Sequence, residues 1–120
     1  DRATNPAVNT FLNYLPKARA SATPDQFAVD SWTAGELLLQ AMTNAGSTIS
    51  PTSVLSALSK VTDFNADGLI GTTHPGVKGG TTCVVMANVQ NEQWVRVHPT
   101  GTGFDCSGTY HNVPLSSLNS

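Results

Sequence analysis

The sequence predicts an α/β chain: three helices followed by a disulfide-linked β-hairpin. Three observations lead there. Three segments open with a capping side chain and then proline, at Asn5-Pro6, Thr23-Pro24 and Ser50-Pro51. Behind each, apolar residues recur at helical spacing. Past Val61 the composition turns to Gly, Thr and Asp, and two short β-branched runs then follow between Cys83 and Cys106.

The first helix is expected from about Pro6 to Tyr14, with Val8, Phe11, Leu12 and Leu15 on one face and Pro16 ending or kinking it. The second is expected to start at Thr23. There Thr23-Pro24-Asp25-Gln26 reads as a capping box with proline at the first helical position. It runs through Asn44, and Gly46 closes it as a left-handed residue. Leu37, Leu38 and Leu39 are consecutive, so they point about 100° apart around the helix. A helix apolar over so much of its circumference expects cover from more than one neighbour. The third helix is expected from Pro51 to about Val61, burying Val54, Leu55, Leu58 and Val61.

Residues 62–82 read as a long loop. Val84 to Val89 and Trp94 to His98 read as strands joined by the Gln90–Gln93 turn. In the second strand Val95 and Val97 alternate with Arg96 and His98, the period of a half-buried strand. Cys83 and Cys106 flank this hairpin, where antiparallel pairing draws them together, so a disulfide closing a 24-residue loop is the expected pairing. Two unrelated buried thiols are the bland alternative. A metal site is weak, because no CxxC pair is present.

Composition bounds the function. The 120 residues, 12.6 kDa, suit one small domain or a piece of a larger one. Leu, Ile, Val and Phe total 27, enough for a modest core. The formal charge of −2 argues against nucleic acid and against a polybasic membrane-surface module. No apolar run approaches the roughly 20 residues that span a bilayer. The opening Asp1-Arg2-Ala3-Thr4 lacks the apolar region of a signal peptide, so the chain is expected to be mature, truncated or cytosolic. The bias to Ser, Thr and Asn, 35 residues against 3 Lys, leans extracellular.

The order of motifs resembles a known family. Pro24-Asp25-Gln26-Phe27-Ala28-Val29-Asp30-Ser31-Trp32-Thr33-Ala34 leads a long helix ending in Asn44-Ala45-Gly46-Ser47. A Ser-Pro-led helix from Ser50 to Lys60 comes next, then Val61-Thr62-Asp63-Phe64 and Gly68-Leu69, then a strand, Gln90-Asn91-Glu92-Gln93-Trp94-Val95, and a second strand. From about Asn5 to Cys106 this resembles the C-terminal third of type I periplasmic-binding proteins, the branched-chain amino acid or amide receptors of ABC importers. The paired cysteines look like the subgroup of high-GC Gram-positive bacteria. The resemblance implies a partial lobe of a two-lobe Venus-flytrap fold, with residues 1–82 as the helical segment and 83–120 as the terminal hairpin and tail. It implies a parent that binds a small polar solute, an amino acid or amide, between lobes and delivers it to an ABC permease from the cell surface, lipid-anchored. In such receptors the entrance of the second helix faces the cleft. That makes Phe27, Asp30 and Trp32 the ligand-contact candidates: Phe27 lining the cleft, Asp30 pairing with a ligand ammonium, Trp32 either touching ligand or sitting in the core. The resemblance also implies a sheet over the triple-leucine helix. The 120 residues alone are therefore not expected to be a self-sufficient ligand-binding monomer: the cover is another copy of the chain, by self-association, a swapped element, or the missing part of the receptor.

A second reading stays beside it. Asp63-Phe64-Asn65-Ala66-Asp67-Gly68 matches the first half of a calcium loop, which would suit a small secreted calcium-stabilised interaction module. The twelfth position, however, is His74 rather than a bidentate carboxylate, and imidazole suits a hard cation poorly. His74, His98 and His111 fit no zinc motif, and no G-x-S-x-G elbow exists. Neither an enzymatic activity nor a cofactor is expected.

Overall fold

The structure, a computed structural model, describes residues 2–111. Helices α1 (Pro6–Ala18), α2 (Gln26–Ala45) and α3 (Pro51–Leu58) precede an antiparallel hairpin of β1 (Met86–Gln90) and β2 (Gln93–His98). The Cys83–Cys106 disulfide is formed. It marks an oxidising environment. Among the described residues no helix is long and apolar enough to cross a membrane. Residues 112–120, part of the expected tail, lie outside the described residues.

Each helix start has a stated cause. Asn5 Oδ1 accepts from the Ala7 N–H at 2.9 Å, and its Nδ2 donates to the Gly68 carbonyl at 2.7 Å. One side chain thus caps α1 and ties it to the middle loop. The helix does not stop at Pro16 but continues to Ala18, with the Arg19 N–H reaching Leu15 O at 3.2 Å. Proline removes only its own bond to the fourth carbonyl back, and the ladder resumes behind it. The start of α2 also departs from expectation: Asp25, not Thr23, is the N-cap, its carboxylate accepting from Ala28 N–H at 2.7 Å. A carboxylate beside the positive end of the helix dipole is the stronger capping group, which leaves Thr23 and Pro24 outside. In α3 the Ser50 and Ser53 side chains cap each other's backbone reciprocally. That helix ends at Leu58 rather than Val61, because the Lys60 and Val61 N–H groups bond three residues back and tighten the last turn.

The 62–82 segment is not a structureless loop. Phe64 and Thr73 pair through two backbone hydrogen bonds, and 3-10 turns form at Ala66–Gly68 and Pro75–Val77. The Gly76 N–H donates to Val61 O at 2.8 Å. A Cβ on Gly76 would lie 2.6 Å from Ser59 O, so only glycine lets the loop dock this closely on the end of α3.

In the hairpin, Gln90 pairs with Gln93 across a two-residue turn, Asn91-Glu92, both at positive φ. This is the twist-matched hairpin turn, made without glycine. The first strand starts at Met86 rather than Val84, because a register irregularity separates Met86 from Ala87 and Val84 pairs instead with Asp105. Val95 and Val97 were expected on a half-buried face, yet they are 36% and 42% exposed. Among the described residues no helix forms a layer against the hairpin.

The core is small. Phe11, Ala41, Ala57, Val61 and Ala66 are buried where the three helices and the 3-10 turn at Ala66–Gly68 meet. The chain exposes 8853 Å², where a compact monomer of this mass exposes about 6,200 Å². Phe27, Leu38, Leu39, Ile49 and Leu55 are among the exposed large apolar side chains.

Candidate functional site

The entrance of α2 carries the three residues singled out from sequence. Phe27 and Asp30 lie about 60° apart around the helix, while Trp32 is about 140° from Phe27. Phe27 is 80% exposed. Asp30 is exposed, and its Oδ1 accepts from Gln26 Nε2 at 2.8 Å, one turn back on the same helix. Trp32 turns the other way, into the seam with α1. Its ring meets Phe11 edge-on at 5.9 Å and Tyr14 at 5.8 Å, and its Nε1–H donates to Glu36 at 2.7 Å. A half-buried indole keeps its N–H satisfied in this way. Phe11, Tyr14, Ala28 and Trp32 line an apolar cleft of about 260 Å³ in that seam. Thus Phe27 and Asp30 share one open face, and Trp32 belongs to a different one.

A second cleft, of about 410 Å³, lies between α2 and the middle loop, lined by Glu36, Gln40, Asp63, Asn65 and Asp67. It contains the oxygen side chains of the calcium-like motif. Their partners are internal. Asn65 Oδ1 accepts from Gly68 N–H at 3.3 Å, capping the 3-10 turn. His74 Nδ1 lies 2.8 Å from Thr62 O and 3.1 Å from Asp63 Oδ1. A carbonyl can only accept, so Nδ1 carries the proton, and the first and twelfth positions of the motif bond each other. Among the described residues no group of three or more His, Cys, Asp or Glu side chains is placed to hold a metal ion.

A third cluster was not legible from sequence, where His98 reads only as an exposed strand residue. His98 Nε2 lies 2.6 Å from Asp105 Oδ2, and Asp105 Oδ1 accepts from Ser107 N–H at 2.9 Å. Beside it Arg96 Nη1 donates to Gly103 O at 2.6 Å. Together with the Val84–Asp105 pairing, these bonds fasten the loop after β2 to the hairpin base. The signal in the sequence was Cys106: once the disulfide is placed, its neighbour Asp105 must return to the strand end.

The Asp105 carboxyl is held down to about 2 from its ordinary 3.8, first by the His98 ring hydrogen bond and then by the Ser107 N–H and hydroxyl. A depressed carboxyl contributes stability above its unfolded value and loses it as pH falls through the folded one. Acid is therefore expected to loosen the hairpin base between about 3.8 and about 2. Asp105→Asn should remove this part of the acid sensitivity, measured as urea midpoints across that range. An unchanged acid slope in the variant would refute the assignment.

Against known proteins, the chain matches no family model, no curated protein and no solved structure.

Proposed function

We propose that this chain is the C-terminal part of an extracytoplasmic solute-binding protein of the type I periplasmic-binding class, the receptor of an ABC importer. Its parent holds an amino acid or amide between two lobes, performs no chemistry, and hands the solute to a permease at the cell surface, where it is lipid-anchored. The observation that carries this reading is the free face of α2. Phe27 and Leu38 lie on one side of the helix, 80% and 52% exposed, and a face of that width requires a covering layer. In the resembling receptors a parallel sheet lies on the corresponding helix. The disulfide adds support, since it suits an extracytoplasmic chain.

Phe27 and Asp30 are assigned to the solute cleft, Phe27 against an apolar part of the solute and Asp30 against its ammonium. Trp32, held between Phe11, Tyr14 and Glu36, positions the helix. The test uses the protein encoded by the whole reading frame, titrated calorimetrically with a panel of amino acids and amides. One solute of the panel should bind tightly. Phe27→Ala should weaken it about tenfold, the loss of roughly 1.5 kcal/mol of apolar burial. Trp32→Ala should lower stability more than affinity. A folded parent that binds no member of the panel, or Phe27→Ala with wild-type affinity, would refute the reading or the residue respectively.

A further inference from the structure

We infer that β1 is an interior strand of a larger sheet: a strand of the parent polypeptide, outside these 120 residues, adds along its outer edge beside Ala87 and Val89. This rests on the proposed function only in taking the chain as part of a longer protein; the solute plays no part in it.

The register fixes which backbone groups await that strand. Gln90 and Gln93 flank the two-residue turn and face each other, and residues so placed exchange both backbone hydrogen bonds. Pairing then alternates along the ladder. Asn88 bonds with Val95, while Val89 opposite Trp94 and Ala87 opposite Arg96 are the non-bonded pairs. The N–H and C=O groups of Val89 and Ala87 therefore point away from β2. Among the described residues the sheet holds β1 and β2 alone, and no other segment sends a backbone hydrogen bond to Ala87 or Val89. Such a row of donors and acceptors fits one chemistry, an extended backbone with the complementary pattern.

The two edges of the hairpin are not alike. The run Val84-Val85-Met86-Ala87-Asn88-Val89-Gln90 holds no charge and no proline. Edges that face water carry such guards, and an uncharged, β-prone run of this length left open is an aggregation hazard. The β2 side has them: Arg96 within the strand and Pro99 directly after it, with Arg96 Nη1 fastened to Gly103 O on the returning loop. So β1 has the sequence of a covered strand and β2 that of an edge.

The faces select the occupant. Val89 and Trp94, 59% and 79% exposed, share one face of the hairpin, and Val95 and Val97, also exposed, lie on the other. A lone peptide on the β1 edge would leave these side chains in water, and a second copy joined there would bring only another bare ribbon. Sheets become stable by packing an apolar face. A strand that already belongs to a packed sheet brings its covering layer with it. The parent's sheet offers such a strand, and covalent connection presents it at roughly millimolar effective concentration.

The experiment is amide-resolved hydrogen exchange, with cross-strand nuclear Overhauser contacts, on the oxidised protein encoded by the whole reading frame. The Ala87 and Val89 amides should exchange within about tenfold of the Asn88 amide, which points at β2. Their contacts should run to a strand outside residues 1–120. Exchange of Ala87 and Val89 at the free-peptide rate would overturn the proposal. Contacts to residues 112–120 would do the same, as would contacts to a second copy in a mixture of differently labelled molecules, or protection with no strand beside it. A parent that binds no solute of the panel refutes the receptor reading and leaves this protection in place. An unprotected β1 edge in a solute-binding parent refutes the added strand alone.

Discussion

Reduction of the Cys83–Cys106 bridge is expected to lower stability by about 3 kcal/mol, the chain-entropy value for a closed loop of this length, and to do so locally. The reason lies in how little else holds the hairpin. A two-stranded ribbon is marginal by itself in water, and among the described residues no helix forms a layer on this one. The bridge sits beside the Val84–Asp105 pairing. Cys83 also lies against the middle loop, where a Cβ on Gly71 would come within 2.7 Å of Cys83 Cβ. Cutting the bridge removes the covalent tie and leaves the returning loop held to the hairpin by the Val84–Asp105 pairing and the His98 and Arg96 hydrogen bonds. Hydrogen exchange should show the amides of residues 86–98 losing protection in reduced protein or in Cys83→Ser/Cys106→Ser, while α2 keeps its own. Equal protection in both redox states would mean the hairpin is held by something else.

The larger effect is expected at Phe11. Among the described residues it is the one bulky side chain in the buried set, 2% exposed, and it meets Trp32 edge-on at 5.9 Å. Phe11→Ala should cost about 3–5 kcal/mol, the usual range for removing a buried aromatic. That is a large share of the stability of any domain this size, about 0.05–0.15 kcal/mol per residue. Denaturant unfolding followed by far-ultraviolet circular dichroism measures it, independently of the change the substitution makes beside Trp32. Leu55→Ala is the control. Leu55 is 64% exposed, and surface substitutions usually stay within about 0.5 kcal/mol. Similar losses for the two variants would show that the seam between α1 and α2 is not the core.

The two expectations share one cause. With few buried side chains, each fixed point matters more: Phe11 for the helical half and the disulfide for the hairpin. The α2 face that remains open is the feature on which the receptor reading rests.

How much of this was legible in the residues varies by element. The three helices, their order, the hairpin and the cysteine pairing follow from local chemistry. Asn5, Ser50 and the prolines after them act on the first turn of their own helices, and period and punctuation operate within a few residues. The middle loop was opaque because its order comes from pairings nine residues apart or from glycine contacts, Phe64 with Thr73 and Gly76 on Val61. No period records these. The same holds at the sites. Sequence placed Phe27, Asp30 and Trp32 on one helix, and helical geometry alone already sets Trp32 away from the other two. It was the tertiary structure that put Trp32 against Tyr14 and Phe11 and left Phe27 facing outward. The His98–Asp105 bond likewise depends on a loop turning back to a strand end. The alternation of Val95 and Val97 foretold a strand correctly but a covered face wrongly. A side chain's period states which way it points, and only the neighbouring elements decide whether anything is there to meet it.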